Sequence, residues 1–191
     1  GCHWYTDTCS EAAAGGHLGI LQWARANGCD WDANVCSSAA GCGQLEILQW
    51  ARSEGCPWNA HTCTAAAQGG HLGILQWSRA NGCDWDSQKT CEKAASGGKL
   101  EVLQWALANG ADCTSSMLAS AAGIGRLDML EWMVSKKPPW DVWVSYSAAQ
   151  SGHLHILEWI RTHGYPLCTS DICFLAANEG HLVMLQWARS N

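Results

Sequence analysis

Twelve cysteines and eight histidines in a chain of 191 residues carry its clearest chemical capacity. Thiols can pair, bind soft metals or act as nucleophiles, and imidazoles can ligate metals or shuttle protons. Most cysteines fall on two recurring positions. Cys2, Cys29, Cys56 and Cys83 each follow a glycine; Cys9, Cys36, Cys63 and Cys91 come seven or eight residues later, and Cys173 holds that second position near the chain's end. No C-x-x-C and no four-ligand cluster accompanies them, so the spacing specifies no zinc site. In one reading cysteine serves as a small buried hydrophobe, which suits the replacement of the first position by Ala111 and the second by Leu118. Another joins the members seven or eight apart as disulfides, which implies an oxidising compartment. A metal-binding or redox module using the Cys and His content is a third. His17, His71, His153 and His181 follow a glycine where Gln44, Lys99 and Arg126 stand elsewhere. That interchange predicts a solvated residue in the first turn of a helix. His163, Cys168 and Asp171 are close in sequence, but no nucleophile–base–orienter set follows from their spacing. The run GIGRLD at 123–128 reads as a turn, because the strand a phosphate loop requires is missing before it. No catalytic residue, cofactor or metal ligand is expected, and the chain is not read as an enzyme.

The elements that hold these side chains are set by a tryptophan ruler. Trp23, Trp50, Trp77, Trp105, Trp132, Trp159 and Trp187 recur at intervals of 27 or 28 residues. A fixed period of that length marks stacked supersecondary units, none of which buries its apolar face alone. The units run over about 2–28, 29–55, 56–82, 83–110, 111–137, 138–164 and 165–191. Each has an Ala pair followed four residues later by glycine (16, 43, 70, 98, 125, 152 and 180) and then an L-x-[IVM]-L-[QE]-W block. A second glycine closes most units, at 28, 55, 82, 110 and 164. In the second unit the pattern predicts a short Ala-rich helix over about 35–41 and a second helix over 44–54. Gly43 would make the turn between them, and Gly55 the left-handed C-cap. The helix tryptophans and a loop series at 4, 31, 58, 85 and 140 are both expected in the core.

The block AAQGGHLGILQW at 66–77 resembles the A-A-x-x-G-H-L-E-V-V-K-L pattern of the ankyrin-repeat family, and GCDWDA and GCPWNA resemble its G-A-D-V-N-A. The resemblance covers all the units. It implies an all-α fold, an ankyrin-like α-solenoid of seven stacked helix-turn-helix repeats. Only six residues lead from Gly55 to His61, where a 33-residue repeat has about eleven, so the projecting hairpin should be clipped to a short loop. The T-P-L-H motif survives only as fragments such as Thr62-Cys63. Short Trp- and Cys-rich repeats of this kind are similar to ankyrin arrays of protists and their large DNA viruses. Gly1-Cys2-His3-Trp4 repeats the loop Gly28-Cys29-Asp30-Trp31, and Asn191 matches Asn27. With no polar capping unit evident, the chain reads as part of a longer array, or as one whose ends a partner covers.

A net charge of −6 and a pI near 5.7 argue against a nucleic-acid partner, which calls for a basic face. No 18-residue apolar stretch supports a membrane span, and the N-terminal residues have no signal-peptide pattern. An intracellular, cytoplasmic protein is expected. The resemblance implies a non-catalytic scaffold that binds another protein through the concave face of its short helices. The partner-binding candidates are the places where one unit departs from the others. Trp143 stands where Asp7, Asn34 and His61 do; Tyr146 and Phe174 stand where Ser10, Ser37, Thr64 and Glu92 do. Exposed aromatics are the usual anchors of an interface, and Asn34, His61, Glu92 and Lys93 would form its polar rim. The aromatics could instead repack locally around Pro138-Pro139, beside Lys137, which replaces a closing glycine. An alternative function is a structural subunit of a large assembly, its end helices near 2–14 and 181–191 covered by neighbours.

Overall fold

Alternating Ala-rich and Trp-bearing helices follow from the repeat pattern, and a computed structural model, which describes residues 6–190, has that alternation throughout. The readings on Gly1 to Trp4 and on Asn191 lie outside the described residues. The chain divides into two compact units, residues 1–111 and 112–191. The first contains α1 (Thr6–Ala14), α2 (Leu18–Ala26), α3 (Ala33–Gly41), α4 (Leu45–Ser53), α5 (Ala60–Gly69), α6 (Leu72–Ala80), α7 (Ser87–Ser96) and α8 (Leu100–Ala108). The second contains α9 (Ser115–Gly123), α10 (Leu127–Val134), α11 (Trp143–Gln150), α12 (Leu154–Thr162), α13 (Thr169–Asn178) and α14 (Leu182–Ser190). No strand occurs among the described residues, and the loops between repeats are short, as the clipped hairpin requires.

Local chemistry starts and stops these helices. The Asp32 carboxylate accepts the Asn34 N–H at 2.8 Å, Asn59 Oδ1 accepts that of His61 at 2.9 Å, and Asp86 accepts that of Lys89 at 2.9 Å. Each is an N-cap contributing about 1 kcal/mol. Gly43 (φ 82°) and Gly55 (φ 79°) take the left-handed conformation expected of them. In the second unit Lys137 does the same at φ 56°, as a non-glycine closing its repeat.

In the first unit α1, α3, α5 and α7 pack successively on one another, and each Trp-bearing helix packs on its own short partner. Small side chains permit this approach. Ala39, Ala40, Ala66, Ala67, Ala94 and Ala95 are buried without exposure, and a Cβ on Gly41 would sit 3.5 Å from Ala65 Cβ. Gly97 is tighter, its hypothetical Cβ lying 2.5 Å from the Gln68 carbonyl oxygen, and at Gly69 a Cβ would run into the Gly41 oxygen. Leu21, Leu48, Leu75 and Leu103 fill the space between helix pairs, with Cys9, Cys29, Cys36, Cys56, Cys63, Cys83 and Cys91 buried beside them. In the second unit α9, α11 and α13 pack in the same succession. Its core uses larger residues: Met117, Leu118, Met129, Leu130, Met133, Ile156, Leu157 and Ile160.

Two expectations need correction. The tryptophans are not core residues: Trp31, Trp50, Trp58, Trp77, Trp85, Trp105 and Trp140 are half-buried and Trp23 is exposed. An interface built from alanine and glycine is too close to admit an indole. The rings lie instead along the edge of the first unit, with Trp31 edge-to-face on Trp50 (5.6 Å), Trp58 on Trp77 (5.8 Å) and Trp85 on Trp105 (5.5 Å). Arg25, Arg52 and Arg79 cover Trp31, Trp58 and Trp85 at 4.6, 4.2 and 5.1 Å from the ring centroids. Of the turn histidines, His17 is exposed as expected, but the other three are not merely solvated. His71 Nε2 donates to the Gly41 carbonyl at 3.1 Å, His153 to Gly123 at 3.1 Å and His181 to Gln150 at 3.2 Å. Each satisfies a carbonyl at the end of the preceding repeat's short helix, where no intrahelical donor remains. Gln, Lys and Arg also carry side-chain donors. The Gln44 and Lys99 side chains lie against Gly16 and Gly70 in the corresponding places.

Candidate binding surface

The first turn of each short helix offers at least one exposed residue, and the residue three places later decides how flat the surface is. In the first unit the exposed positions are Asp7, Asn34, His61 and Lys89. The Ser10, Ser37 and Thr64 hydroxyls fold back onto the carbonyls of Asp7 (3.0 Å), Asn34 (3.1 Å) and His61 (3.0 Å). Asn34 Nδ2 also donates to Asp32 Oδ2 at 3.1 Å, and His61 Nδ1 lies 3.2 Å from Thr64 Oγ1. Glu92 is exposed on α7 and Lys93 is half-buried beside it. This part of the surface is polar, low in relief, and bonded to its own helix caps.

The second unit replaces it with aromatics. The Trp143 N–H is held by Asp141 Oδ1 at 3.3 Å, as Asp32 holds Asn34, so the cap survives while the side chain changes. Trp143 is 58% exposed, and its ring meets Tyr146 edge-to-face at 5.0 Å. Together with Val142, Ser145, Cys168, Asp171 and Ile172 they line a groove of about 180 Å³ between α11 and the start of α13. Phe174 is 70% exposed on α13 and does not line the groove. The structure thus joins Trp143 to Tyr146 and leaves Phe174 as a separate projection. Sequence reasoning missed Val142, although it stands where Ala33 and Ala60 begin α3 and α5. Around Pro138, Trp140 stacked on Tyr165 at 4.1 Å lines a second pocket of about 240 Å³ together with Val134 and Lys137.

Of His163, Cys168 and Asp171, the last two share the groove and His163 is held elsewhere. The His163 ring stacks on Trp159 at 4.2 Å and its Nδ1 donates to the Trp159 carbonyl at 2.9 Å, while Cys168 Sγ is 3.2 Å from Ser170 Oγ. No three His, Cys, Asp or Glu side chains converge as a metal-ligand group among the described residues. No helix among them is long and apolar enough to cross a membrane. One ion pair shapes the surface of the second unit. Arg126 grips Asp128 with two bonds of 2.8 Å, and the guanidinium's hydrogen bond lowers the Asp128 carboxyl to about 2. Burial raises the Cys113 thiol above its ordinary value.

Residues 91–134 match the family model for ankyrin repeats (many copies). No curated protein matches the chain in sequence. Among solved structures the chain is similar to the human ASB11 ankyrin repeat domain, at 17% identity and a TM-score of 0.63, covering 83% of this chain and 84% of that one. Helices alternating between an Ala-rich inner element and a Trp-bearing partner, turned by left-handed glycines, are therefore ankyrin repeats by sequence over residues 91–134, and the chain has the fold of an ankyrin-repeat domain.

Proposed function

We propose that the chain is a non-catalytic scaffold that binds another protein on the face presented by its short helices, with Trp143 and Tyr146 as the anchor. The supporting observation is the pair of half-exposed to exposed rings over an open groove, with the Asp171 carboxylate at its rim. A site of that make-up suits an apolar side chain flanked by a cationic one. On the first unit Asn34, His61, Glu92 and Lys93 offer polar contacts of their own, and on the second Phe174 offers a further apolar contact. The helices are already packed, so binding orders little chain. This reading includes an intracellular, cytoplasmic setting.

The test starts with a partner captured from the native source and identified, its affinity then measured against Trp143→Ser and Phe174→Ser. Trp143→Ser should weaken binding about 30-fold, the scale of an interface hot spot, with an unchanged melting midpoint because the ring is largely exposed. Unaltered affinity refutes the anchor; a lowered midpoint with parallel loss of affinity assigns the ring to packing instead.

A second reading, a structural subunit of a larger assembly, has its own support. Ile20 on α2 is 55% exposed where its counterpart Ile47 is 3%, and Leu182 and Val183 on α14 are exposed. Sedimentation of the wild type and of Ile20→Ser, Leu182→Ser and Val183→Ser variants tests it. Self-association lost in the variants supports it, and a concentration-independent monomer counts against assembly with its own kind.

A further inference from the structure

The thiols of the first unit form pairs that the binding surface does not use. Cys9 Sγ lies 2.9 Å from Cys29 Sγ, twenty residues away. The repeat carries the same twenty-residue spacing to Cys36 with Cys56 and to Cys63 with Cys83, and all four are buried. One member sits on a short helix; the other follows the closing glycine and opens the next repeat. The backbone repeats with them. The Cys29, Cys56 and Cys83 N–H groups donate to the carbonyls of Ala24 (3.0 Å), Ala51 (2.9 Å) and Ser78 (2.9 Å). The Cys56 and Cys83 thiols donate to the Asp32 (3.4 Å) and Asn59 (3.3 Å) carbonyls, which are equivalent groups in consecutive repeats. The pairs expected at seven or eight residues are replaced by a ladder that crosses from one repeat to the next.

The chain's own repeats separate this ladder from simple packing. If small size were all that mattered, the two positions would vary independently. Both are cysteine three times in succession; the next place reads Cys91 with Ala111, and in the second unit Leu118 with Pro138 and Ser145 with Tyr165. Both members of those two pairs lack cysteine, while Cys173 keeps the short-helix position in the last repeat.

We propose that Cys9–Cys29, Cys36–Cys56 and Cys63–Cys83 are oxidative modification sites that close as disulfides with a low-molecular-weight disulfide as oxidant, stapling consecutive repeats of the first unit. A protein thiolate attacks the reagent's S–S bond and releases one reagent thiolate. The partner thiol then gives up its proton and attacks the protein sulfur of the mixed disulfide, releasing the second reagent thiolate. One S–S bond breaks and one forms. Two electrons pass to the reagent, and the two thiol protons end on the released reagent thiols. The neighbouring Cys56 lowers the Cys36 thiol and the neighbouring Cys63 lowers the Cys83 thiol; either sulfur of a pair can open the exchange, with the other resolving it. Burial, then the bond with Cys29, pushes Cys9 up to about 12. All six sulfurs are sealed from solvent, so the reagent enters as neighbouring repeats separate and reclose. The same burial protects the finished bonds.

The test refolds the reduced full chain in a buffer of oxidised and reduced glutathione. Remaining thiols are then blocked under denaturing conditions, and peptides are mapped without reduction. The expected result is three cross-linked peptides joining residues 9 to 29, 36 to 56 and 63 to 83. Six of the twelve thiols should be lost to them, with a raised melting midpoint relative to the reduced chain. Exposed Cys42 should carry glutathione and so reports that the reagent was active. Cys36→Ser should remove its own link and leave the other two. Links between cysteines seven or eight apart, six thiols still reduced beside a modified Cys42, or a lowered midpoint after closure would each overturn the proposal.

Discussion

Gly69 and Gly73 stand four residues apart, and alanine at the two should change stability in opposite directions. Alanine in place of glycine gains up to about 1 kcal/mol in a helix. Gly73, in the first turn of α6, has nothing within 4 Å of an added Cβ, so Gly73→Ala should keep most of that gain. At Gly69 the same methyl runs into the Gly41 carbonyl oxygen and lies 2.6 Å from His71 Cδ2. The obstacle is the backbone of α3, which cannot rotate away, so α3 and α5 must move apart. Overpacking of this kind costs about 1–3 kcal/mol. Displacing His71 also removes its bond to Gly41, worth about 1 kcal/mol. Set against the helix gain, Gly69→Ala should destabilise by about 1–3 kcal/mol. At roughly 4 °C per kcal/mol for a unit of this size, its melting midpoint falls by about 4–12 °C while that of Gly73→Ala rises by about 2–4 °C. Hydrogen exchange adds location: amides of α3 and α5 should exchange faster in Gly69→Ala only. Equal shifts in the two variants, or a stabilised Gly69→Ala, would refute the claim that alanine and glycine set the spacing of the short helices.

Two further perturbations test local features of the second unit. Lys137→Gly should stabilise it by about 0.5–1 kcal/mol, because Lys137 holds φ 56° where glycine closes five other repeats and a side chain there is strained; a lower midpoint in denaturant titration would contradict this. The Asp128 carboxyl is depressed from 3.8 to about 2 by Arg126, so its stabilisation is present above pH 4 and is lost as pH falls from 4 through 2. Both side chains are largely exposed, which limits the effect to about 0.5 kcal/mol. Arg126→Gln should flatten that part of the acid-unfolding curve, and a curve of unchanged steepness would remove the pair from the account.

The helices were legible because a fixed period over seven repeats pins phase: α3 and α4 begin and end within two residues of the spans that the Ala pair and the L-x-I-L-Q-W block predict. Depth was not legible. Trp50 shares the apolar arc with Ile47 and Leu48, yet those two are buried and Trp50 is not. An arc names a direction, whereas burial depends on how near the neighbouring element comes. Alanines bring the short helices together, and the bulky rings are left at the edge beside arginine. Cysteine as a small buried residue was legible, and the seven described cysteines at the two recurring positions of the first unit are buried; which of them meet was not, for a related reason. Nearness in sequence suggested partners seven or eight residues away. The left-handed glycine after α2 instead turns the chain back against α1, so Cys29 meets Cys9.

The surface separates into the same two kinds of information. Trp143, Tyr146 and Phe174 could be found because each breaks a pattern set by its own counterparts. Trp143 takes an exposed polar position, and Tyr146 and Phe174 are too large for the buried places of Ser10, Ser37 and Thr64. A pattern break does not say which residues share a cavity. Tyr146 and Phe174 occupy equivalent positions on α11 and α13, so each faces outward from its own repeat. The groove includes Tyr146 but not Phe174, because Val142, Trp143 and Tyr146 face the first turn of α13 through Asp171 and Ile172. Grooves between stacked helices are made by the offset of one repeat against the next, joining residues of unlike register. For this reason a partner's anchor should contact Trp143, Tyr146 and Asp171 together, and Phe174 should contribute separately. A double-mutant cycle would show coupling between Trp143→Ser and Asp171→Asn, and additivity between Trp143→Ser and Phe174→Ser.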